Sequence, residues 1–238
     1  YPAGNLLGTF NAQTGQAGCT PAPCYSWTVP DKIGNQVRVR ARDTNNSNVE
    51  SESSANIEIY GSLTVNQPNA SVTHWYVGDT NQIKWTPFGT YPGTSYPLVE
   101  FHYSTNGSAY TAVSPDATKS NTAHQVQGIA TWLIPDKIGS NVTVRARVQG
   151  SPTTVQSIST IFKIAGKITE ITQPVAAEVW YAQDVSKVIE WKATGTVTNV
   201  RIEYYNGSSW QDVVANDGGH TAGTNQYTWA SIPNNIKT

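Results

Sequence analysis

One phrase recurs along this chain. It reads Trp27-Thr-Val-Pro-Asp-Lys-Ile-Gly-Asn-Gln-Val-Arg-Val-Arg-Ala-Arg42, then Trp132-Leu-Ile-Pro-Asp-Lys-Ile-Gly-Ser-Asn-Val-Thr-Val-Arg-Ala-Arg147, then, cut short, Trp229-Ala-Ser-Ile-Pro-Asn-Asn-Ile-Lys-Thr238. A period of roughly 100 residues predicts an array of sandwich-sized β domains. The third copy stops where the others enter their best strand. The first has too little chain before it for a whole domain. The expected layout is therefore the C-terminal part of a repeat over 1–61, a complete repeat over 62–165, and over 166–238 the N-terminal part of a repeat lacking its last two strands.

The middle copy carries the clearest pattern. Leu63-Thr-Val-Asn-Gln-Pro68 reads as an edge strand ended by proline. Gln82-Ile-Lys-Trp85 and Leu98-Val-Glu-Phe-His-Tyr103 alternate apolar and polar residues. Tyr110–Val113, Gly128–Ile134, Asn141–Arg147 and Ile158–Ile164 complete about seven short strands, with Asn106-Gly107 as a turn signal. That count fits an immunoglobulin-like sandwich. The third copy repeats the series from Ile168–Pro174 through Val188–Trp191, Val200–Tyr205 and Trp210–Val214 to Gln226–Ile232. The first supplies Cys24–Val29, Gln36–Arg42 and Ala55–Tyr60. The overall expectation is all-β: tandem immunoglobulin-like β-sandwiches, one complete and two partial.

Alternation assigns faces. Val142, Val144 and Ala146 should be core, as should Val99, Phe101 and Tyr103. Glu100 is then placed to meet Arg145 or Arg147 across a solvated face, with a binding patch as the alternative use of the Arg row. Trp85 and Trp191, and Trp27, Trp132 and Trp229, are expected in cores. Each of the pairs Trp75-Tyr76 and Trp180-Tyr181 should bury one ring and expose the other. In the Pro-Asp-Lys-Ile-Gly turn, Asp136 is expected to accept N–H groups of its own turn and Gly139 to adopt a positive φ. Asp31 and Asp136 as metal ligands are the weaker alternative, because each turn supplies one carboxylate.

Composition narrows the function classes. Charged residues are 13% of the 238, about half the usual share, and the net charge is -1. That leaves no basic footprint for nucleic acid. No apolar run approaches the roughly 20 residues of a membrane-spanning helix. The four histidines are scattered, and no nucleophile elbow or phosphate-binding loop appears. No catalytic residue, cofactor site or metal site is assigned, and the expectation is a non-enzyme. Asp43-Thr-Asn-Asn-Ser-Asn48 reads as a polar hairpin turn, or as half a calcium loop. There is no methionine, so Tyr1 is expected to follow a processing site or an internal cut.

Cys19 and Cys24, with two prolines between them, suit a small disulfide loop in an oxidising compartment, the alternative being two free thiols. Asn45, Asn69, Asn106, Asn141 and Asn206 head Asn-x-Ser/Thr sequons, candidate glycan sites in a cell that glycosylates.

The succession Ile/Val-x-x-Pro, aromatic pair with Gly-Asp, Ile-x-Trp, Val-x-Ile/Phe-x-Tyr, Asn-Gly and Trp-x-Val/Ile-Pro resembles the Ig-like or fibronectin-like repeat of secreted prokaryotic surface proteins. It is also similar to the Ser/Thr-rich GPI-anchored cell-wall family of fungi. The resemblance covers nearly the whole chain, with Ala182-Gln183 replacing Val77-Gly78 in the third copy. It implies an extracellular or cell-surface location and a role as spacer, stalk or structural layer.

The leading expectation is thus a structural segment of an extracellular filament, sheath, surface layer or adhesin stalk. Its half domains would be completed by adjoining segments of the same long polypeptide or by copies of itself. Continuation is slightly favoured, since Cys24–Val29 would duplicate Gln226–Ile232 in a strand exchange. The alternative is a carbohydrate-binding or accessory module of a secreted enzyme, with Tyr91 and Tyr96 of the aromatic loop 86–97 stacking on surface glycans.

Overall fold

The computed structural model describes residues 6–9, 16–18, 20–21, 23–90, 96–150 and 155–234. Every regular element among them is a β-strand. The chain divides into two compact units, Tyr1–Gly61 with Gly89–Thr94, and Ser62–Phe88 with Ser95–Thr238.

The first unit holds β1 (Gly34–Val37), β2 (Arg40–Arg42), β3 (Glu50–Glu52) and β4 (Ile57–Ile59). β1 pairs with β4, and β2 with β3, all antiparallel. Arg40 lies 3.5 Å from Glu50 and 3.9 Å from Glu52, in exposed pairs that add little stability. Cys24–Val29, expected as a strand, forms none. In the second unit the matching segment is a strand because a neighbour supplies its ladder; here, among the described residues, that neighbour is missing. The segment is held instead by Gln16, whose N–H donates to the Cys24 carbonyl at 2.8 Å and whose side-chain oxygen accepts from Ser26 N–H at 2.8 Å. Gln36–Arg42, expected as one strand, is split between β1 and β2.

The second unit opens with β5 (Ser62–Gln67), β6 (His74–Tyr76), β7 (Thr80–Phe88), β8 (Leu98–Ser104), β9 (Thr111–Ala112), β10 (Thr118–Ser120), β11 (Gly128–Leu133), β12 (Gly139–Val148), β13 (Gln156–Ile158) and β14 (Phe162–Ala165). One antiparallel sheet runs β11-β7-β5. The other runs β10-β8-β12-β14-β6, with β9 on β8 and β13 on β12. Its β14–β6 pair is parallel.

Alternation puts one face of each strand into a single core. Ile83 and Trp85 of β7, Val99, Phe101 and Tyr103 of β8, Ala130 and Trp132 of β11, and Val142, Val144 and Ala146 of β12 are all buried there. Trp132 sits with its ring centroid 5.0 Å from Tyr103, 5.8 Å from Trp75 and 6.4 Å from Phe162. Trp85 packs 4.8 Å from Phe101, and its indole N–H donates to Asn121 at 3.1 Å. Trp75 is buried and Tyr76 half-buried, while Trp180 is half-buried and Tyr181 exposed, so each pair is divided less sharply than strict alternation predicts.

The remaining strands are β15 (Lys167–Gln173), β16 (Val185–Thr194), β17 (Asn199–Tyr205), β18 (Trp210–Gly218) and β19 (Gly223–Ser231). They form a sheet β15-β16-β19 and a separate pair β17-β18. Their smaller core gathers Ile189, Trp191, Ala193, Val200 and Ile202.

Gly128 is the tightest point of the larger core. A β-carbon there would stand 2.2 Å from Cζ2 of Trp85. Gly128→Ala is expected to destabilise the fold by about 1–3 kcal/mol through overpacking. Urea unfolding followed by tryptophan fluorescence measures this as a lower midpoint.

Candidate assembly interface

The two sheets built from β15–β19 leave an apolar cleft of about 580 Å³ between them. Ile168, Ile171, Trp180, Trp191, Ile202 and Trp229 contribute to its walls. In residues 62–165 the strand that matches β17 in sequence has neighbours on both edges. There β8 has β10 on one side and β12 on the other, and Val142, Val144 and Ala146, with Phe162 and Ile164 of β14, are buried. β17 matches β8 in sequence, from Val200 against Val99 to Tyr204 against Tyr103. It pairs with β18 on one edge, and no strand borders its other edge among the described residues.

Exposure follows from this. Leu63 in β5 is 7% exposed, while Ile168 and Ile171 in β15 are 46% and 57% exposed. Tyr110 carries the Arg145 guanidinium over its ring at 4.0 Å. Trp210, at the matching place after Asn206-Gly207, is 65% exposed. The Trp85 indole N–H has Asn121 as acceptor, whereas that of Trp191 is buried without a partner.

Charge on the rim differs as well. Arg147 is 2.6 Å from Glu100, its directly opposite residue. That hydrogen bond holds the Glu100 carboxyl below its ordinary value. Arg201 stands where Glu100 stands. It binds Asp212 at 2.7 Å and Glu203 at 3.4 Å, and it holds Asp212 below the usual carboxylate range.

Cys24 is disulfide-bonded, and Cys19 lies outside the described residues. Tyr91 also lies outside them, and Tyr96 is half-buried. Asn45, Asn69, Asn106 and Asn141 are exposed and Asn206 half-buried. Three of these amides close their own turns. Asn69 accepts from Ser71 N–H at 3.1 Å, Asn106 from Ser108 and Ala109 N–H at 3.0 Å, and Asn206 from Ser208 N–H at 3.0 Å. Asp43 accepts from the N–H groups of Asn45 and Asn46 at 2.7 and 3.0 Å, so it organises the β2–β3 hairpin turn.

Two expectations for the Pro-Asp-Lys-Ile-Gly turn need correction. Gly34 and Gly139 are absent from the positive-φ residues; they open β1 and β12 and pair with Ile59 and Ile164. The described turn closes through backbone bonds from Lys32 N–H to Pro30 and from Lys137 N–H to Pro135, each 2.8 Å. The Asp31 and Asp136 carboxylates reach further, to Thr90 and Thr196. Only a contact distant in sequence determines this, and no local pattern encodes it.

Acid should weaken the larger sandwich. Folding depresses Glu100 through Arg147, and it depresses His102 through burial and then Arg145. For a depressed group the unfolded chain binds more protons, so stability is full above the unfolded value and is lost as pH falls through the folded one. The loss therefore starts near the ordinary histidine value of 6.5 and continues through the carboxylate range. Glu100→Gln is expected to flatten the acid part of this slope, measured by denaturant unfolding at a series of pH values.

No protein-family model matches this chain, and no curated protein matches it.

Proposed function

We propose that the chain is a non-catalytic structural segment of an extracellular filament, sheath, surface layer or adhesin stalk. It is built from tandem immunoglobulin-like sandwiches, of which 62–165 is complete. The observation that carries this reading is the apolar cleft beside the open edge of β17, walled by Ile168, Trp191, Ile202 and Trp229. Open apolar walls and an unpaired strand edge are a liability that a neighbour must cover. The occupant proposed is a pair of strands from adjoining chain of the same repeat, one alternating like Val142-Thr-Val-Arg-Ala146 and one like Phe162-Lys-Ile164.

Charge refines the occupant. Arg145 faces His102 in the β12–β8 register and covers Tyr110. Glu203 takes the place of His102, and Trp210 that of Tyr110. A basic residue on the incoming strand would meet both. Opposite Arg201 the strand should be acidic or neutral, since like charges directly opposed are destabilising.

A chain extended beyond Thr238 by a second copy of residues 141–166, carrying Arg147→Glu in the copy so that an acidic residue faces Arg201, tests this. Amide exchange in β17 and β18 is expected to slow about 100-fold, the scale of a few kcal/mol of added local stability. The same extension with aspartate at the positions copied from Val142 and Val144 should have no effect. Unchanged exchange in the extension without those aspartates would remove the basis of the proposal.

A further inference from the structure

We infer that the Pro135–Gly139 turn is one half of a stacking joint within the second unit, and that its partner is the Gly195-Thr196 corner that follows β16. Asp136 grips Thr196 with both carboxylate oxygens. Oδ1 accepts the Thr196 N–H at 3.0 Å and Oδ2 accepts its hydroxyl at 2.6 Å. Within the first unit, Asp31 makes the same pair of bonds to Thr90: Oδ1 to the N–H, and Oδ2 to the hydroxyl at 2.6 Å. Bonds to a carboxylate are about twice as strong as neutral ones, and the two-point grip also sets direction.

Both threonines follow a glycine in the left-handed region, Gly89 at φ 104° and Gly195 at φ 79°. Both glycines are also crowded. A β-carbon on Gly89 would stand 2.8 Å from Ile33 Cδ1 and 3.1 Å from the Gly61 Cα. One on Gly195 would stand 2.8 Å from Val77 Cγ2 and 3.3 Å from the Gly166 Cα. The joint thus needs an Asp in the turn, a Gly-Thr corner at the end of the receiving strand, and a glycine between domains.

A second attachment accompanies the grip in the second unit. Lys167 Nζ lies 2.8 Å from Asp79 and 5.2 Å from the centroid of the Tyr76 ring. Two fixings on separate elements restrain rotation as well as separation.

The third turn is framed in the same way. Gly78 N–H donates to the Ile134 carbonyl and Ile134 N–H to that of Asp79, both at 2.9 Å. Likewise Gln183 N–H donates to the Ile232 carbonyl at 2.9 Å and Ile232 N–H to that of Asp184 at 2.8 Å. Asn234 then occupies the Asp136 position and is exposed. It offers a neutral acceptor, so a corner received there would be held less tightly than by Asp31 or Asp136.

The inference rests on reading the chain as consecutive sandwiches, and it does not depend on what closes the cleft. Spin labels at Ser120→Cys and Ser208→Cys in the full chain give the distance distribution between the two sandwiches. The unsubstituted joint is expected to give one narrow peak. Asp136→Ala and Thr196→Val should each broaden it about twofold, as a small polar contact between domains is lost. Thr196→Val preserves shape, so it carries the test if Asp136→Ala perturbs folding. A broad distribution in the labelled parent, or widths unchanged in both variants, would overturn the joint. Exchange protection in β17 after chain extension reports separately on the cleft.

Discussion

The structure depends on filling the gap between two facing β-sheets. In residues 62–165 that gap is filled by indoles. Trp85 and Trp132 rise from neighbouring strands of one sheet, and Phe101, Tyr103 and Phe162 meet them from the other. Facing sheets stand roughly 10 Å apart, a space only large side chains from both sides can close. Truncating one such aromatic costs roughly 3–5 kcal/mol. Other features follow from this requirement: the missing side chain at Gly128, the buried Asn121 that serves the Trp85 N–H, and the alternation of β8 and β12.

The same requirement explains the contrast with β15–β19. Trp191 is as buried as Trp85, so one side of the second gap is assembled. The opposite wall has Val200 and Ile202, and among the described residues no further strand lies beside β17 on that side. The cleft lies along this open edge. In the first unit β4 is covered at one end only: Ile59 is 8% exposed and Ile57 40%, where Phe162 is 2% exposed.

Much of this was legible in the residues, because the side-chain period of a strand is local. Val99, Phe101 and Tyr103, and Val142, Val144 and Ala146, declare their buried face without knowledge of their partners. So does the pairing of Glu100 with Arg147, once β8 and β12 are neighbours. Other features are not local. β6 is a strand because β14 lies parallel beside it, and β13 because β12 does. Cys24–Val29 has strand-like residues and no ladder. The Asp136–Thr196 grip joins residues 60 apart in sequence, and the Asp-Lys turn alone gives no sign of it.

Gly166 is the only residue between β14 and β15. A pull along the chain therefore passes from one sandwich into the other without slack to take up. It enters β14 lengthwise, against the parallel ladder to β6 and the antiparallel ladder to β12. Hydrogen bonds lying across the pull resist together, and they do not open one at a time as in a zipper. Under tension, the two ladders of β14 would thus be loaded in shear.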